Sequence, residues 1–267
     1  MRQYRDINRL NWNDRTEIHA KSKFYDVDAF LADDAPRIGL DQEELGDVAG
    51  RTLLHLQCHF GLDTLNWARL GARVTGIDFS EKAIALARSL NDRLGLDARF
   101  LCSDIYDAKE VLGGEQFDIV YTSYGVLCWL PELDGWADLI STSLKPGGIF
   151  YMAEFHPVTF MFEPVDGELK IADSYFNTET RQYVSDVTYT GDDDPLAHPV
   201  TYQWQHTLTE IVGALIGAGL TLEFLHEFPF TVFNMYPGLM TQDEQGRWRL
   251  KGNHHPPLLF SVKARKV

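Results

Sequence analysis

Thr52-Leu-Leu-His-Leu-Gln-Cys-His-Phe-Gly61, with Arg73-Val-Thr-Gly-Ile-Asp-Phe-Ser80 behind it, is the stretch that decides the fold. Thr52 to Leu56 is a short apolar run that ends at a turn, which reads as a buried strand. Thr64 to Leu70 has helical spacing and stops at Gly71, and Arg73 to Ile77 reads as a second strand. Strand, helix and strand in that order make a βαβ unit, which requires parallel pairing.

The same alternation continues downstream. Ser80 is an N-cap for a helix over Glu81 to Leu94, where Ile84, Ala87 and Leu94 share a face and Gly95 ends the run. Arg99 to Cys102 and Phe117 to Tyr121 are the third and fourth strands. Leu133 to Leu144 is helical, Lys145-Pro-Gly-Gly148 is a turn, and Ile149 to Glu154 is the fifth strand. Single helices between strands predict an α/β fold with a doubly wound, Rossmann-like parallel sheet covered on both faces.

Outside this region the rhythm changes. Residues 157–205 are rich in Tyr, Thr, Asp and Phe, with the acidic run Asp192-Asp-Asp-Pro195, and read as an inserted segment of strands and loops. Thr209 to Gly217 is helical again, and Leu220 to Phe228 and Leu258 to Lys266 are strands. Residues 1–50 carry Trp12, His19, Phe24, Tyr25 and Phe30 among charges, and read as helices packed over the sheet. The expected organisation is one domain over 1–267: a helical cap (1–50), a core (51–156), an insert over the substrate pocket (157–205) and a C-terminal helix with strands (206–267).

Composition narrows the partners. Acidic residues outnumber basic ones 39 to 24 and the formal net charge is −15. Such a surface repels phosphate backbones and anionic membranes. No basic stripe offsets it; the nearest cluster is Lys263-Ala-Arg-Lys266. The expectation is therefore no nucleic acid and no membrane. Cys58, Cys102 and Cys128 lie far apart without a paired spacing, which suits neither a disulfide framework nor a zinc site. No apolar stretch follows Met1-Arg-Gln-Tyr-Arg-Asp6, and the longest uncharged apolar stretch, Ile211 to Leu222, is too short to cross a bilayer. A cytoplasmic protein is expected.

In a doubly wound sheet, ligands bind beyond the carboxyl ends of the strands. The turns there are Gln57-Cys58-His59-Phe-Gly61, Asp78-Phe79-Ser80, Ser103-Asp104-Ile105 and Ser123-Tyr124. Asp78 lies 17 residues after Gly61, close to the offset at which a carboxylate reaches ribose hydroxyls. Asp104 is positioned to accept from an adenine amino group, with Ile105 packing on the ring.

Together these residues resemble the class I S-adenosylmethionine-dependent methyltransferases. The resemblance runs from Thr52 to about Glu154, and more weakly through the last helix and strands. It is carried by Asp78, Ser103-Asp104-Ile105, Phe117-Asp-Ile-Val120 and Leu144-Lys-Pro-Gly-Gly148. A bacterial branch of that family, of unassigned substrate, has much the same Leu54–Gly61 loop. The family's first motif has an acid on the strand and three glycines after it. Here His55 replaces the acid and only Gly61 survives, so backbone amides of Gln57 to Gly61 are left to meet the cofactor's methionine moiety. The resemblance implies a seven-stranded sheet with an antiparallel last strand, S-adenosyl-L-methionine as cofactor, and methyl transfer to oxygen, nitrogen or carbon of a small-molecule acceptor. Such transfer needs alignment, a dry pocket and at most the removal of a proton, so no catalytic triad is required.

Other readings stand beside this one. An NAD-dependent oxidoreductase would need glycine at 57, 59 and 62, where Gln, His and Leu stand. A binding protein that kept the fold and lost catalysis is the other alternative, and the depleted first turn is its argument. His55 and His59 invite a metal, but residues four apart on a strand are separated by roughly 13 Å. His254-His255 makes little better a case, and no metal is expected. His55 reads as a core histidine, and Cys58 as a small buried residue at the cofactor turn. Glu154 and His156 are the candidates for a general base. Tyr124 follows the fourth strand and is the aromatic best positioned to face a sulfonium. His19 and Tyr25 are candidate cofactor contacts if the N-terminal helices form a lid.

Overall fold

The computed structural model describes residues 2–177, 179–252 and 255–267. Its N-terminal helices are α1 (Arg2–His19), α2 (Val27–Ala32) and α3 (Leu40–Leu45). The core runs β1 (Thr52–Leu56), α4 (Leu62–Arg69), β2 (Arg73–Asp78), α5 (Glu81–Leu94), β3 (Arg99–Cys102), α6 (Ala108–Leu112), β4 (Phe117–Thr122), α7 (Asp134–Ser143) and β5 (Leu144–Phe155). Two hairpins follow, β6 (Phe162–Val165) with β7 (Glu168–Ile171) and β8 (Arg181–Val184) with β9 (Val200–Gln203). The chain closes with α8 (Leu208–Gly217), β10 (Leu220–Phe228), the hairpin β11 (Met240–Gln242) and β12 (Trp248–Leu250), and β13 (Leu259–Lys266).

Seven strands form one sheet in the order β10-β13-β5-β4-β1-β2-β3, with β13 antiparallel to both its neighbours. The chain moves from β1 outward to β3, then crosses back to β4 on the other side of β1. That reversal opens a crevice at the carboxyl ends of β1 and β4, where ligands of doubly wound sheets bind.

Side-chain alternation explains why the sheet is covered twice. Leu54 and Leu56 of β1 pack with Val120, Phe150, Trp136 and Ile211 on one face. Leu53 points the other way and packs with Ile119, Tyr151, Trp67 and Leu45. A fully buried leucine contributes about 1.5–3 kcal/mol, and the largest buried side chains, Trp67 and Trp136, sit on opposite faces.

The turns behave as local chemistry requires. Ser80 Oγ accepts from Ala83 N at 3.1 Å, and Gly95 closes α5 at φ 63°. Gly76 lets β2 approach its neighbours, since a Cβ there would lie 2.8 Å from Cys58 Sγ. One expectation is corrected: Lys145–Gly148 does not stand outside the sheet but is absorbed into β5. Pairing with β4 starts at Leu144 opposite Phe117, breaks register, and resumes at Ile149 opposite Ile119. Gly147 at φ 76° takes up that irregularity.

The insert is strands and loops, and α1 lies against it as well as against the core. Asn8 gives its amide to Tyr202 O at 2.7 Å and accepts from Tyr202 N at 2.8 Å, so its side chain pairs with the edge of β9 as another backbone would. No helix among the described residues is long and apolar enough to cross a membrane. His254, of the pair His254-His255, lies outside the described residues.

Candidate active site

A cavity of about 1060 Å³ opens at the carboxyl ends of β1, β2, β3, β4 and β5 and is roofed by α1, the loop carrying Tyr25 and the insert. Gln57, Cys58, His59, Gly61, Asp78, Phe79, Ser103, Asp104, Ile105, Ser123, Tyr124, Glu154 and Tyr25 all line it. His19 and His156 do not.

The first turn keeps a glycine-like path without the glycines. Gln57 and His59 hold φ of 56° and 52°, and Gly61 holds 82°. Left-handed backbone at a non-glycine residue costs about 1–3 kcal/mol, and here side chains offset it. Gln57 Nε2 donates to Val126 O at 3.1 Å, tying the first turn to the loop after β4. The His59 ring packs against Trp12, His19, Tyr25 and Phe60. Gly61 itself is needed twice over, because a Cβ would stand 2.7 Å from the Phe100 ring.

Asp78 is buried and accepts from His59 N at 2.8 Å and from Ser80 N at 2.9 Å. Burial nevertheless raises its pKa to about 6, against the pull of those amides. Asp104 Oδ1 accepts from Arg5 at 2.7 Å and from Tyr106 N at 3.0 Å, so α1 is pinned at the end of β3. Ser103 N donates to Asp78 O at 2.9 Å, and Ser123 Oγ meets His55 Nε2 at 3.1 Å. His55 Nδ1 meets Thr64 Oγ1 at 2.8 Å. Both ring nitrogens are thereby engaged in the core, and burial pushes its pKa down to about 3.

Both general-base candidates are redirected. Glu154 Oε1 accepts from Gly125 N and Phe155 N, both at 2.6 Å; Oε2 accepts from Val126 N at 2.8 Å and Leu127 N at 3.1 Å. Four donors occupy the acceptor directions of a carboxylate, so Glu154 is a clamp on the loop after β4 and has no lone pair directed at a substrate proton. His156 turns away from the cavity: Nδ1 accepts from Val158 N at 3.1 Å, and Nε2 donates to Glu227 Oε1 at 2.9 Å. It caps the short turn after β5. His19 is likewise a buried packing residue, with Nε2 against Thr188 Oγ1 at 2.7 Å and its ring stacked on Tyr25. Tyr25 reaches the cavity and shares a hydroxyl contact with Tyr189.

Several groups that shape the cavity carried no sequence motif, Asp41 behind its wall among them. Tyr124 and Tyr121 both donate to the buried carboxylate of Asp41, so the phenol at the cavity wall is fixed from α3. Arg15, Trp129, Tyr189 and Phe233 complete the upper wall. Arg15 was detectable in principle, since it falls three residues after Trp12 and hence on the same helix face; nothing in one sequence placed Tyr189 opposite it.

Residues 54–152 match the family model described as a methyltransferase domain. An uncharacterized methyltransferase of Synechocystis sp. is 33% identical over 143 residues, 53% of this chain and 63% of that protein. The ubiquinone biosynthesis O-methyltransferase of Bordetella pertussis is 28% identical over 134 residues, 49% of this chain and 55% of that protein. The chain thus spans less than two thirds of either relative's length. An S-adenosylmethionine dependent methyltransferase from Mesorhizobium loti has the same fold, with a TM-score of 0.62 over 84% of this chain and 94% of that one, at 23% identity. The domain match and the fold agree with what the motifs after each strand implied. Residues 54–152 are thus a methyltransferase domain, and the fold is shared with S-adenosylmethionine-dependent methyltransferases of known structure.

Proposed function

We propose that the protein transfers a methyl group from S-adenosyl-L-methionine to a small-molecule acceptor held between the core and the cap. The observation that carries this reading is the cavity itself. Small-molecule sites usually measure about 300–1,000 Å³, and about 1060 Å³ leaves room for a cofactor and a modest acceptor together. Its enclosure by α1 and the insert favours a small acceptor over a nucleic acid.

The residues present fit the cofactor. Gln57 Oε1 is a buried acceptor with no hydrogen-bond partner among the described residues, and it belongs to the cavity wall. It would take a donor from the methionine moiety. Asp78 would accept from ribose hydroxyls, Asp104 and Ile105 would flank the adenine, and Ser123 and Tyr124 would border the reacting end. When bound, S-adenosyl-L-methionine supplies an already activated methyl on a sulfonium. The chain's own part is to align the acceptor and exclude water. With Glu154 saturated and His156 turned away, the reading needs no dedicated base from β5.

Calorimetric titration with S-adenosylhomocysteine, followed by transfer of labelled methyl to a small-molecule extract, tests this. Saturable binding and label in a low-molecular-weight product are expected. Absence of S-adenosylhomocysteine binding would overturn the reading, and binding without transfer to any acceptor would favour the non-catalytic alternative.

A further inference from the structure

We propose that Arg15 is the anion-recognising residue of the acceptor site, and that the methyl acceptor is a small planar, aromatic-type carboxylate. This rests on the methyl-transfer reading above and extends it to the substrate class.

Arg15 is only 8% exposed, yet it forms no ion pair among the described residues. Its Nε donates to Asn11 Oδ1 at 2.6 Å, which orients the group. The two terminal nitrogens make no hydrogen bond among the described residues, and the side chain belongs to the cavity wall. The guanidinium carbon lies 5.3 Å from the Trp12 ring centroid, 5.8 Å from that of Trp129 and 5.9 Å from that of Tyr189. Ring faces offset part of the cost of burying a cation, but they do not fill its hydrogen-bonding fork.

Four carboxylates line the cavity and none pairs with Arg15 among the described residues; Asp63 makes no hydrogen bond there and feels the charge of Arg37. Asp104 pairs with Arg5, Asp78 accepts two amides, and Glu154 accepts four. In a chain of net charge −15, an arginine kept inside a ligand cavity and away from those acids is a cation held for something that enters. A planar guanidinium with two free nitrogens matches a carboxylate in bidentate fashion, better than an ammonium would. The Trp12, Trp129 and Tyr189 faces around it suit a flat apolar body behind that carboxylate.

The cofactor's amino-acid carboxylate offers the same chemistry. The structure favours the acceptor as the source, because Arg15 and Tyr189 come from the cap and the insert, outside the methyltransferase-domain match at 54–152.

The test is calorimetric titration of the protein, saturated with S-adenosylhomocysteine, with hydroxylated aromatic carboxylates such as 3,4-dihydroxybenzoate, each beside its neutral methyl ester. Wild type should prefer acid over ester by about tenfold or more, as a charge-assisted pair implies. Arg15→Gln should lose that preference and keep S-adenosylhomocysteine affinity within about threefold, and Arg15→Lys should retain part of it. If Arg15→Gln does not fold, the acid–ester comparison in wild type and the Arg15→Lys variant decide. No acid preference in wild type, or a preference unchanged in the variants, overturns the inference. So does a selective loss of S-adenosylhomocysteine affinity in Arg15→Gln, which would make the arginine the cofactor's partner. Failure of wild type to bind S-adenosylhomocysteine at all would overturn the methyl-transfer reading and this one with it; binding without acid preference removes this one alone.

Discussion

Replacing Asp78 by Asn isolates the charge on which cofactor recognition is proposed to rest. The carboxylate is 8% exposed and receives amide N–H groups from His59 and Ser80, yet burial lifts its pKa from 3.8 to about 6. At 1.36 kcal/mol per tenfold, that lift is worth about 3 kcal/mol. A raised carboxyl pKa means that the folded chain holds its proton longer than the unfolded one. The cost of ionising Asp78 is therefore absent below about pH 4, accumulates between about pH 4 and 6, and is fully present above. Two ribose hydroxyls donating into the site would recover part of it, so wild-type affinity for S-adenosylhomocysteine should rise from about pH 5 to about pH 6 and then level. Asn removes the ionisation cost but turns an NH₂ toward one of the two amides, a mismatch of about 1–3 kcal/mol. The two terms nearly cancel, so Asp78→Asn should fold with little change in Tm. What it should lose is a charged acceptor, about 1.5–3 kcal/mol or roughly 10- to 150-fold in affinity at neutral pH, together with the pH dependence. Calorimetric titration of both proteins across that range reads each effect. Wild-type affinity that stays flat from about pH 5 to 7, or a variant within about threefold of wild type at neutral pH, would refute the reasoning.

Gly61→Ala should lower stability by about 1–3 kcal/mol, because the new methyl would meet Phe100 at 2.7 Å and Ala87 at 3.2 Å with φ at 82°; an unchanged Tm by calorimetry would mean that the Phe100 ring moves aside freely. Glu154→Gln should cost about 1–3 kcal/mol by setting an NH₂ among amide donors, whereas His156→Gln should leave the pH profile of methyl transfer unchanged. A profile that shifts in His156→Gln would return that histidine to the reacting centre.

What was legible in the sequence follows from which interactions are local. The βαβ rhythm and the Ser80 cap are fixed by neighbours within a few residues and lie where the sequence placed them, and Asp78 and Asp104 stand at the ends of their strands on the cavity wall. The first turn was harder. Gln57 and His59 stand where glycines are usual, and the sequence alone says that the backbone has lost its freedom. The structure retains the left-handed path because their side chains reach Val126, Trp12 and Tyr25, partners far along the chain. Glu154 and His156 were misread for the same reason: residues at a strand end look available until the donors that meet them are known. Those donors come from the loop after β4 and from Glu227.

The same distinction between local and distant partners orders how the cap is held. The buried face of α1 is largely polar: Asn8, Asn11, Arg15, Thr16 and His19. Toward the insert these groups make buried, specific bonds, Asn8 with both backbone groups of Tyr202, Asn11 with His198 O at 2.6 Å, and His19 with Thr188. Toward the core, α1 makes the half-buried pair Arg5–Asp104, the more exposed pairs Arg9–Glu81 and Glu17–Lys82, and accepts at Asn13 Oδ1 from Ser80 Oγ at 2.7 Å. Exposed ion pairs contribute about 0–1 kcal/mol each, while a buried amide left without partners costs about 1–3 kcal/mol. Trp12 and Tyr25 add ring contacts to His59 and Phe60 that tie the cap to the first turn. If α1 acts as a lid, amides between about Trp12 and Tyr25 should exchange readily in the free protein and become protected when S-adenosylhomocysteine is added; protection already high and unchanged by ligand would refute it. Asp104 on the core and Arg15 on the cap line one cavity, so such protection should extend to both proposed ligand contacts.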